Sequence, residues 1–375
     1  MTAPRNIVVA MSGGVDSSVA AALLHEAGHR VIGVTLRLLG KETGFGCCGT
    51  TKDIDDARAV CGRLGVPHYV FDFAQTFEQK IMDPFLQSYL GGETPNPCIN
   101  CNRYVKFDAL LKKAVTLGAD AVATGHYARV EKAAGDAGPV YRLRRARDAQ
   151  KDQSYVLYHL GQAELSRLLF PVGDMEKADV RAAAHRLGLR TADKPESMEI
   201  CFVPGANTAA YVRDEAERKE LLSRTVRPGP IKDKTGRVLG THKGVAFYTR
   251  GQREGLGISV GRPLYVVDLD PGTNTVFVGD DRDTLSDTFE VADAHWVHGR
   301  PPATEFAAYV QIRSRHSPVG AVLTVTAEGL RVKAEGLRAV TPGQAAVFYD
   351  GDDVIGGGVI RRAALREPVA PGSPL

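Results

Sequence analysis

The sequence predicts an α/β protein. A parallel sheet covered by helices fills the N-terminal half, followed by a small middle domain and a C-terminal β-barrel or sandwich. Three observations predict it. Residues 6–125 alternate between short β-rich runs and helical patterns, which implies crossover connections and a parallel sheet. From Val203 the texture changes to short β-rich runs punctuated by Gly, Pro and Asp, continuing to about Arg362. A chain of 375 residues is also too long for one compact core. The expected division is 1–203, 204–283 and 284–365, with a Pro-rich, disordered tail at 366–375.

In order, the strand patterns of the first half are Ile7–Ala10, Val31–Leu36, His68–Phe73 and Ala121–Thr124. Helical patterns lie between them at Ser17–Ala27, Asp53–Leu64, Phe77–Leu90 and Phe107–Leu117. Arg129–Arg145 reads as a hairpin with a Gly/Ala-rich tip, and Asp152–Leu187 reads as mostly helical. Pro228-Gly229-Pro230 and Asp233–Gly236 are turn signals, and Phe277–Asp280 closes a β-rich run. Ala308–Ile312, Ala321–Val325, Ala345–Tyr349 and Val354–Ile360 are short strands at the spacing of a small barrel or sandwich.

Composition sets wide bounds. Hydrophobic content of 43% and charged content of 24% are those of an ordinary soluble protein. Lys plus Arg (47) barely exceeds Asp plus Glu (44), so bulk charge neither argues for nor excludes a nucleic-acid partner. No apolar run is long enough to span a bilayer, and no basic-then-apolar leader precedes Ile7. The expected location is cytoplasmic, with no membrane partner. Six cysteines in such a chain are candidates for core fillers, metal ligands or redox-active thiols rather than a disulfide framework.

Between the first strand and the first helix stands Ser12-Gly13-Gly14-Val15-Asp16-Ser17-Ser18. Gly13 and Gly14 permit positive φ and close backbone approach to a ligand. Ser17 and Ser18 lie at a helix start, where free N–H groups and the helix dipole favour an anion. Such a turn can hold phosphate without the lysine of the usual triphosphate loop. Asp16 would repel a bare phosphate, so a Mg²⁺ ion between them is expected.

A second informative stretch is Thr94-Pro95-Asn96-Pro97-Cys98-Ile99-Asn100-Cys101-Asn102. Its prolines and asparagines predict an ordered loop presenting thiols at C-x-x-C spacing. Cys201 follows one hundred residues beyond Cys101. The pair alone fits a redox couple, half a zinc site or iron–sulfur ligands. Zinc would need further ligands; Cys47-Cys48 are candidates, but adjacent cysteines are poor tetrahedral partners. Cys61 lies on an amphipathic helix pattern and reads as core.

The opening loop resembles the pyrophosphate (PP) loop of the N-type ATP pyrophosphatases, Rossmann-like proteins that adenylate an oxygen of their substrate. Further motifs narrow the resemblance. Thr94–Asn102, Ala123–Arg129, Lys151–Tyr155, Ile200–Phe202, Gly251–Gly257, Ile312–His316 and Thr341–Gln344 are similar to the tRNA-specific 2-thiouridylases, in order, over about residues 6 to 362. The resemblance implies a C-terminal β-barrel and ATP-dependent 2-thiolation of the wobble uridine (U34) in tRNAs for Lys, Glu and Gln. It assigns ATP to Ala10, Met11, Ser12, Gly13, Gly14, Val15, Asp16 and Ser17, with Leu36 and Gly125. Asp16 also belongs to the catalytic set. By position Cys101 is the nucleophile and Cys201 the persulfide carrier. The resemblance places the target base at Asn96, Pro97 and Cys98. It places other tRNA contacts at His126, Lys151, Asp152, Gln153, Arg313, Ser314 and Gln344.

The implied partners are the tRNA anticodon arm and, as sulfur donor, a cysteine desulfurase or a relay protein. Some family members carry aspartate where this chain has Cys98. The third thiol opens a second reading, in which Cys98, Cys101 and Cys201 hold a [4Fe–4S] cluster with one open iron. Arg142, Arg144, Arg145 and Arg147 form a basic group that faces either phosphates or solvent. Arg313 and Arg315 alternate as on one strand face. Two rivals remain at this level: another adenylating synthetase of the superfamily, amide- or lysidine-forming, and a non-catalytic tRNA-binding protein.

Overall fold

The computed structural model describes residues 3–40, 49–136, 138–196, 200–221 and 223–364. Cys47, Cys48 and the tail from 366 lie outside them. The N-terminal part runs β1 (Asn6–Ala10), α1 (Val15–Glu26), β2 (Arg30–Arg37), α2 (Thr51–Leu64) and β3 (His68–Asp72). Next come α3 (Ala74–Phe77), a π-helical stretch Glu78–Met82 and α4 (Asp83–Leu90). After α5 (Pro97–Asn100) a second π-helical stretch, Cys101–Ala109, leads into α6 (Leu110–Thr116) and β4 (Ala121–Thr124).

β1 pairs in parallel with β2 on one side and with β4 on the other. The sheet order is β3-β2-β1-β4-β7, the last being the two-residue strand Leu168–Leu169. Ile7 and Val9 pack on one face against α1 and α2, while Val8 packs on the other face against α4 and the second π-helical stretch. A strand buried on both faces reads as a continuous apolar run, as β1, β2 and β4 do, whereas β3 stands at the sheet edge with Tyr69 exposed. Chain direction diverges between β1 and β4, so a crevice opens beyond their carboxyl ends. The opening loop and Gly125 both lie there.

Thr94–Asn102 departs from the loop expected. Pro97 occupies the first turn of α5 and the Asn96 side chain caps it, accepting from Cys98 N at 3.1 Å. Proline is tolerated in a first turn because its missing N–H has no intrahelical partner there. Cys98 and Cys101 are therefore helical residues. Cys61 is core as expected: it is buried, and burial pushes its thiol up to about 11.

The hairpin appears as β5 (Ala128–Gly135) and β6 (Gly138–Arg145). The 152–187 segment is less helical than its pattern: a 3₁₀ turn at Ser154–Leu157, α7 (Gln162–Leu165), β7, then α8 (Lys177–Arg186). α9 (Thr208–Arg218) leads to the middle sheet. There β8 (Gly229–Lys232), β9 (Val238–His242), β10 (Tyr265–Asp270) and β11 (Thr275–Gly279) adopt the order β10-β11-β8-β9. β8 begins at Gly229, so two residues of the expected Pro228–Pro230 turn are strand. Proline fits at the start of a strand.

The last six strands are β12 (Leu285–Trp296), β13 (Glu305–Gln311), β14 (Val319–Thr326), β15 (Gly329–Arg338), β16 (Ala345–Asp350) and β17 (Asp353–Ala364). They close through β12–β17 into an antiparallel barrel, filled by residues such as Phe289, Val310, Leu323, Val332 and Phe348. The hairpin β5–β6 adds to this barrel's sheet through Asp353 and Arg144, although it leaves the chain directly after β4. Ser154 Oγ and Tyr349 Oη lie 3.3 Å apart, and Tyr155 Oη donates to Ala345 O at 2.9 Å. The barrel is thus tied to the wall of the crevice.

Candidate active site

The crevice is built on the N-terminus of α1. Gly14 is the N-cap in extended conformation, and Ser17 Oγ donates to its carbonyl at 3.1 Å while accepting from Ser12 N at 3.2 Å. Gly13 has φ +74°, and a Cβ there would lie 2.5 Å from Asp53 O. The turn therefore needs glycine for both conformation and space. The free N–H groups of the first helical turn face a cavity of about 260 Å³ lined by the opening loop, Leu36, Gly125, Lys177 and Lys194.

Three lysines surround this loop, all from distant parts of the chain. Lys177 Nζ lies 2.7 and 2.9 Å from the two Asp16 oxygens and 2.9 Å from Glu196 Oε1. Lys194 Nζ donates to Gly13 O and pairs with Asp53 and Asp56 at 2.8 and 2.7 Å. Lys151 Nζ pairs with Glu196 at 2.7 Å. Burial would raise the Glu196 carboxyl, but hydrogen bonds from Lys151 and Lys177 outweigh it and hold the pKa at about 2. Tyr127 Oη donates to Asp16 at 2.8 Å; burial and the Asp16 charge push that hydroxyl far above its ordinary range. The Asp16 charge thus meets an ammonium within the protein, so offsetting it does not by itself require the expected magnesium ion.

A second, larger cavity of about 1180 Å³ adjoins the first. Asn96, Pro97, Cys98, Cys101 and Cys201 line it from the catalytic part, and Ser314, Arg315 and Gln344 from the barrel. Cys98 is exposed, Cys101 buried and Cys201 half-buried; all three are thiols rather than disulfides. Among the described residues no three Cys, His, Asp or Glu stand close enough to share a metal ion. The thiols are the right donor type for an iron–sulfur cluster, but they are not gathered into a ligand set.

The expected tRNA residues divide. His126, Lys151 and Gln153 line both cavities. His126 is buried with Nδ1 2.7 Å from Thr124 Oγ1; burial, then the charges of Lys106 and His159, hold it neutral. Asp152 lines the larger cavity, and its carboxylate accepts from Ala146 N, Ser154 N, Ser154 Oγ and Arg145. Gln344 Nε2 donates to Thr94 O at 2.8 Å, and Thr94 N donates to Pro342 O, so the barrel clamps the lead into α5.

Arg313 is not on a strand. It follows β13 in a turn and donates to the carbonyls of Arg338 and Ala339, because β13 ends at Gln311. The arginine group is largely committed within the fold: Arg142 and Arg144 to Asp353, Arg145 to Asp152, and Arg147 to Glu176 at 3.9 Å. Arg145 also stacks on Tyr349, 3.6 Å from the ring centroid.

A Gly-rich helix N-terminus at the switch point of a parallel sheet, with a thiol-lined cavity beside it, defines a nucleotide-using HUP-domain protein. Residues 5–205 match the family model described as tRNA methyl transferase HUP domain. Residues 220–280 match the tRNA methyl transferase PRC-barrel domain, and 286–360 the aminomethyltransferase beta-barrel domain. Similarity to whole proteins is more specific. The chain is 48% identical over 362 residues to the tRNA-specific 2-thiouridylase MnmA of Chloroflexus aurantiacus, covering 95% of this chain and 98% of that protein. It is 47% identical to the Carboxydothermus hydrogenoformans MnmA, covering 96% and 98%. The chain belongs to the MnmA family. A solved 4-thiouridine synthetase–RNA complex with bound ATP aligns at TM-score 0.36 and 16% identity over 58% of this chain and 52% of its own, too distant to carry an argument.

Proposed function

We propose that this protein 2-thiolates the wobble uridine U34 of tRNAs for Lys, Glu and Gln, using ATP to activate the C2 oxygen. The observation that carries the reading is the meeting of a pyrophosphate-type loop and a thiol-lined cavity along one wall, in a chain 48% identical to named 2-thiouridylases. The anticodon loop presents unstacked bases, so a flipped uridine reaches the larger cavity at modest cost. Its O2 attacks the α-phosphorus, the bond to the β-phosphate breaks, and pyrophosphate leaves against the N–H groups of α1. The N3 proton passes to water.

Sulfur then replaces oxygen. The terminal sulfur of a Cys201 persulfide attacks C2 and AMP leaves with the former O2. Cys101 thiolate attacks Cys201 Sγ, freeing the thiolated base and forming a Cys101–Cys201 disulfide, which a two-electron thiol reductant reopens. A cysteine desulfurase or relay protein recharges Cys201. Magnesium, when bound with ATP, would neutralise phosphate charge, and Asp16 and Asp53, two of the three carboxylates lining the crevice with Glu196, would hold it. Cys98 favours the alternative in which three thiols hold a [4Fe–4S] cluster, but that reading needs them closer than they stand.

Among the described residues no helix is long and apolar enough to cross a membrane, and action on tRNA fits the cytoplasm. The test is mass spectrometry of position 34 in tRNA from a deletion strain, with AMP formation by purified protein and tRNA. Loss of 2-thiouridine and tRNA-dependent AMP support the reading. Persistence of 2-thiouridine in a strain with no second thiolase refutes it. AMP formation undiminished in Cys101→Ser, with no thiolated product, would instead favour another adenylating synthetase.

A further inference from the structure

The two cavities meet along a seam formed by Leu38, Lys106, His126, Lys151, Gln153 and Glu196, which line both. Lys106 comes from the helical segment that carries Cys101, and Cys101–Ala109 is π-helical. The i→i+5 repeat of a π-helix brings a residue five positions on round to the same side, where an α-helix would turn it away. Cys101 and Lys106 accordingly line the same large cavity, and Lys106 also borders the nucleotide crevice. Its charge acts on the buried His126 ring at that seam. π-Helical runs concentrate at functional sites, and this one aligns a cation with a thiol.

We propose that Lys106 is a catalytic residue of the adenylation step, its ammonium contacting the non-bridging oxygens of the ATP α-phosphoryl group as the uridine C2 oxygen attacks. The proposal rests on the function proposed above. A base arriving through the thiol cavity and an α-phosphate seated in the crevice meet at the seam, so a cation there faces the phosphorus under attack. The O2–Pα bond forms, the Pα–O bond to the β-phosphate breaks, and Lys106 remains an ammonium throughout. A preorganised cation at the site of charge development stabilises the transition state without reorganisation. Because Lys106 and Cys101 share one helical segment, the same rigid element sets where oxygen is activated and where sulfur arrives.

The test compares wild type, Lys106→Met and Lys106→Arg for pyrophosphate release with ATP and tRNA, tRNA binding and thermal melting. Lys106→Met is expected to lower kcat by about 100-fold or more, the scale of losing one transition-state charge contact. The KM for ATP and the Kd for tRNA stay within about threefold of wild type, because the contact tightens in the transition state. Lys106→Arg recovers at least about tenfold of the loss by keeping the charge. The preference between the two diastereomers of α-thio-ATP narrows in Lys106→Met, a signature that a merely structural role would not produce. Pyrophosphate release by Lys106→Met within about threefold of wild type overturns the proposal. So does a loss confined to tRNA affinity, which would make Lys106 a backbone contact, or an equal loss in both variants with lowered melting temperature. A wild-type protein that releases no pyrophosphate with tRNA would instead overturn the underlying function.

Discussion

Replacing Gly125 by alanine drives a methyl group into the N-terminus of α1. A Cβ at that position would lie 2.5 Å from Ser17 N, 2.6 Å from Asp16 C and 3.0 Å from Asp16 Cβ. All three atoms belong to the first turn that lines the nucleotide crevice, and two are backbone, so no rotamer change relieves the contact. Opening the closest contact to about 3.4 Å requires β4 and α1 to separate by about 0.9 Å. Overpacking of this kind costs about 1–3 kcal/mol, which a well-folded domain survives. Catalysis is less tolerant, since a misplacement of about 1 Å in a reacting geometry costs on the order of 100-fold. The expected result for Gly125→Ala is a folded protein whose kcat/KM for ATP in tRNA-dependent pyrophosphate release falls about 100-fold. A cooperative melt together with a kcat/KM within about threefold of wild type would refute the reasoning, because the loop would then not need its present position.

Two further perturbations follow from the charges. Lys177→Met leaves the Asp16 carboxylate with the Tyr127 hydroxyl but no ammonium. The anionic triphosphate then faces an uncompensated charge, and ATP affinity by calorimetry should fall at least about tenfold, or about 1.4 kcal/mol; unchanged affinity would contradict the role given to Lys177. His159 supplies a pH test. Burial, then the charges of Arg103 and His295, push it down to about 3, so the folded state refuses a proton that the unfolded chain accepts near pH 6.5. The pH-dependent cost of its burial is therefore absent above about pH 6.5 and increasingly destabilises the fold as pH falls towards 3. His159→Phe should flatten the acid-side stability slope by up to about 1.4 kcal/mol per pH unit in denaturant titrations, and an unchanged slope would show that His159 does not contribute.

The elements that could be read from the sequence are those whose local signal and tertiary role coincide. β1, β2 and β4 are apolar runs because both faces are buried, and the glycines of the opening loop mark a real need for backbone space at Gly13. Where local and tertiary requirements part, the reading failed. The prolines and asparagines of Thr94–Asn102 resemble a loop, yet Asn96 and Pro97 are the cap and first residue of a helix. The hairpin β5–β6 was found, but its pairing with the barrel rests on a contact between Arg144 and Asp353, far apart in sequence. The same holds for the lysines. Lys177 and Lys194 approach Asp16 and Gly13 from 161 and 181 residues away, and no local pattern announces them. Arg313 and Arg315 alternate like strand residues, but β13 ends at Gln311 and the turn uses the Arg313 guanidinium to hold two carbonyls. Asp152 lines the larger cavity, yet its carboxylate also joins β6 to the segment behind it by accepting from Ala146 N and Arg145, a role no local pattern announces. The resemblance named residues far apart in sequence, and the fold brings Asn96, Cys98, Cys101, Lys151, Cys201 and Gln344 to one cavity.

The account makes one crevice responsible for activating oxygen and the adjoining thiols responsible for replacing it. The most direct measurement is the ratio of pyrophosphate released to 2-thiouridine formed, in a reaction supplied with ATP, substrate tRNA, a sulfur donor and a thiol reductant. The account predicts one pyrophosphate and one AMP for each 2-thiouridine. Formation of 2-thiouridine with ADP and phosphate as products, or without ATP consumption, would contradict it.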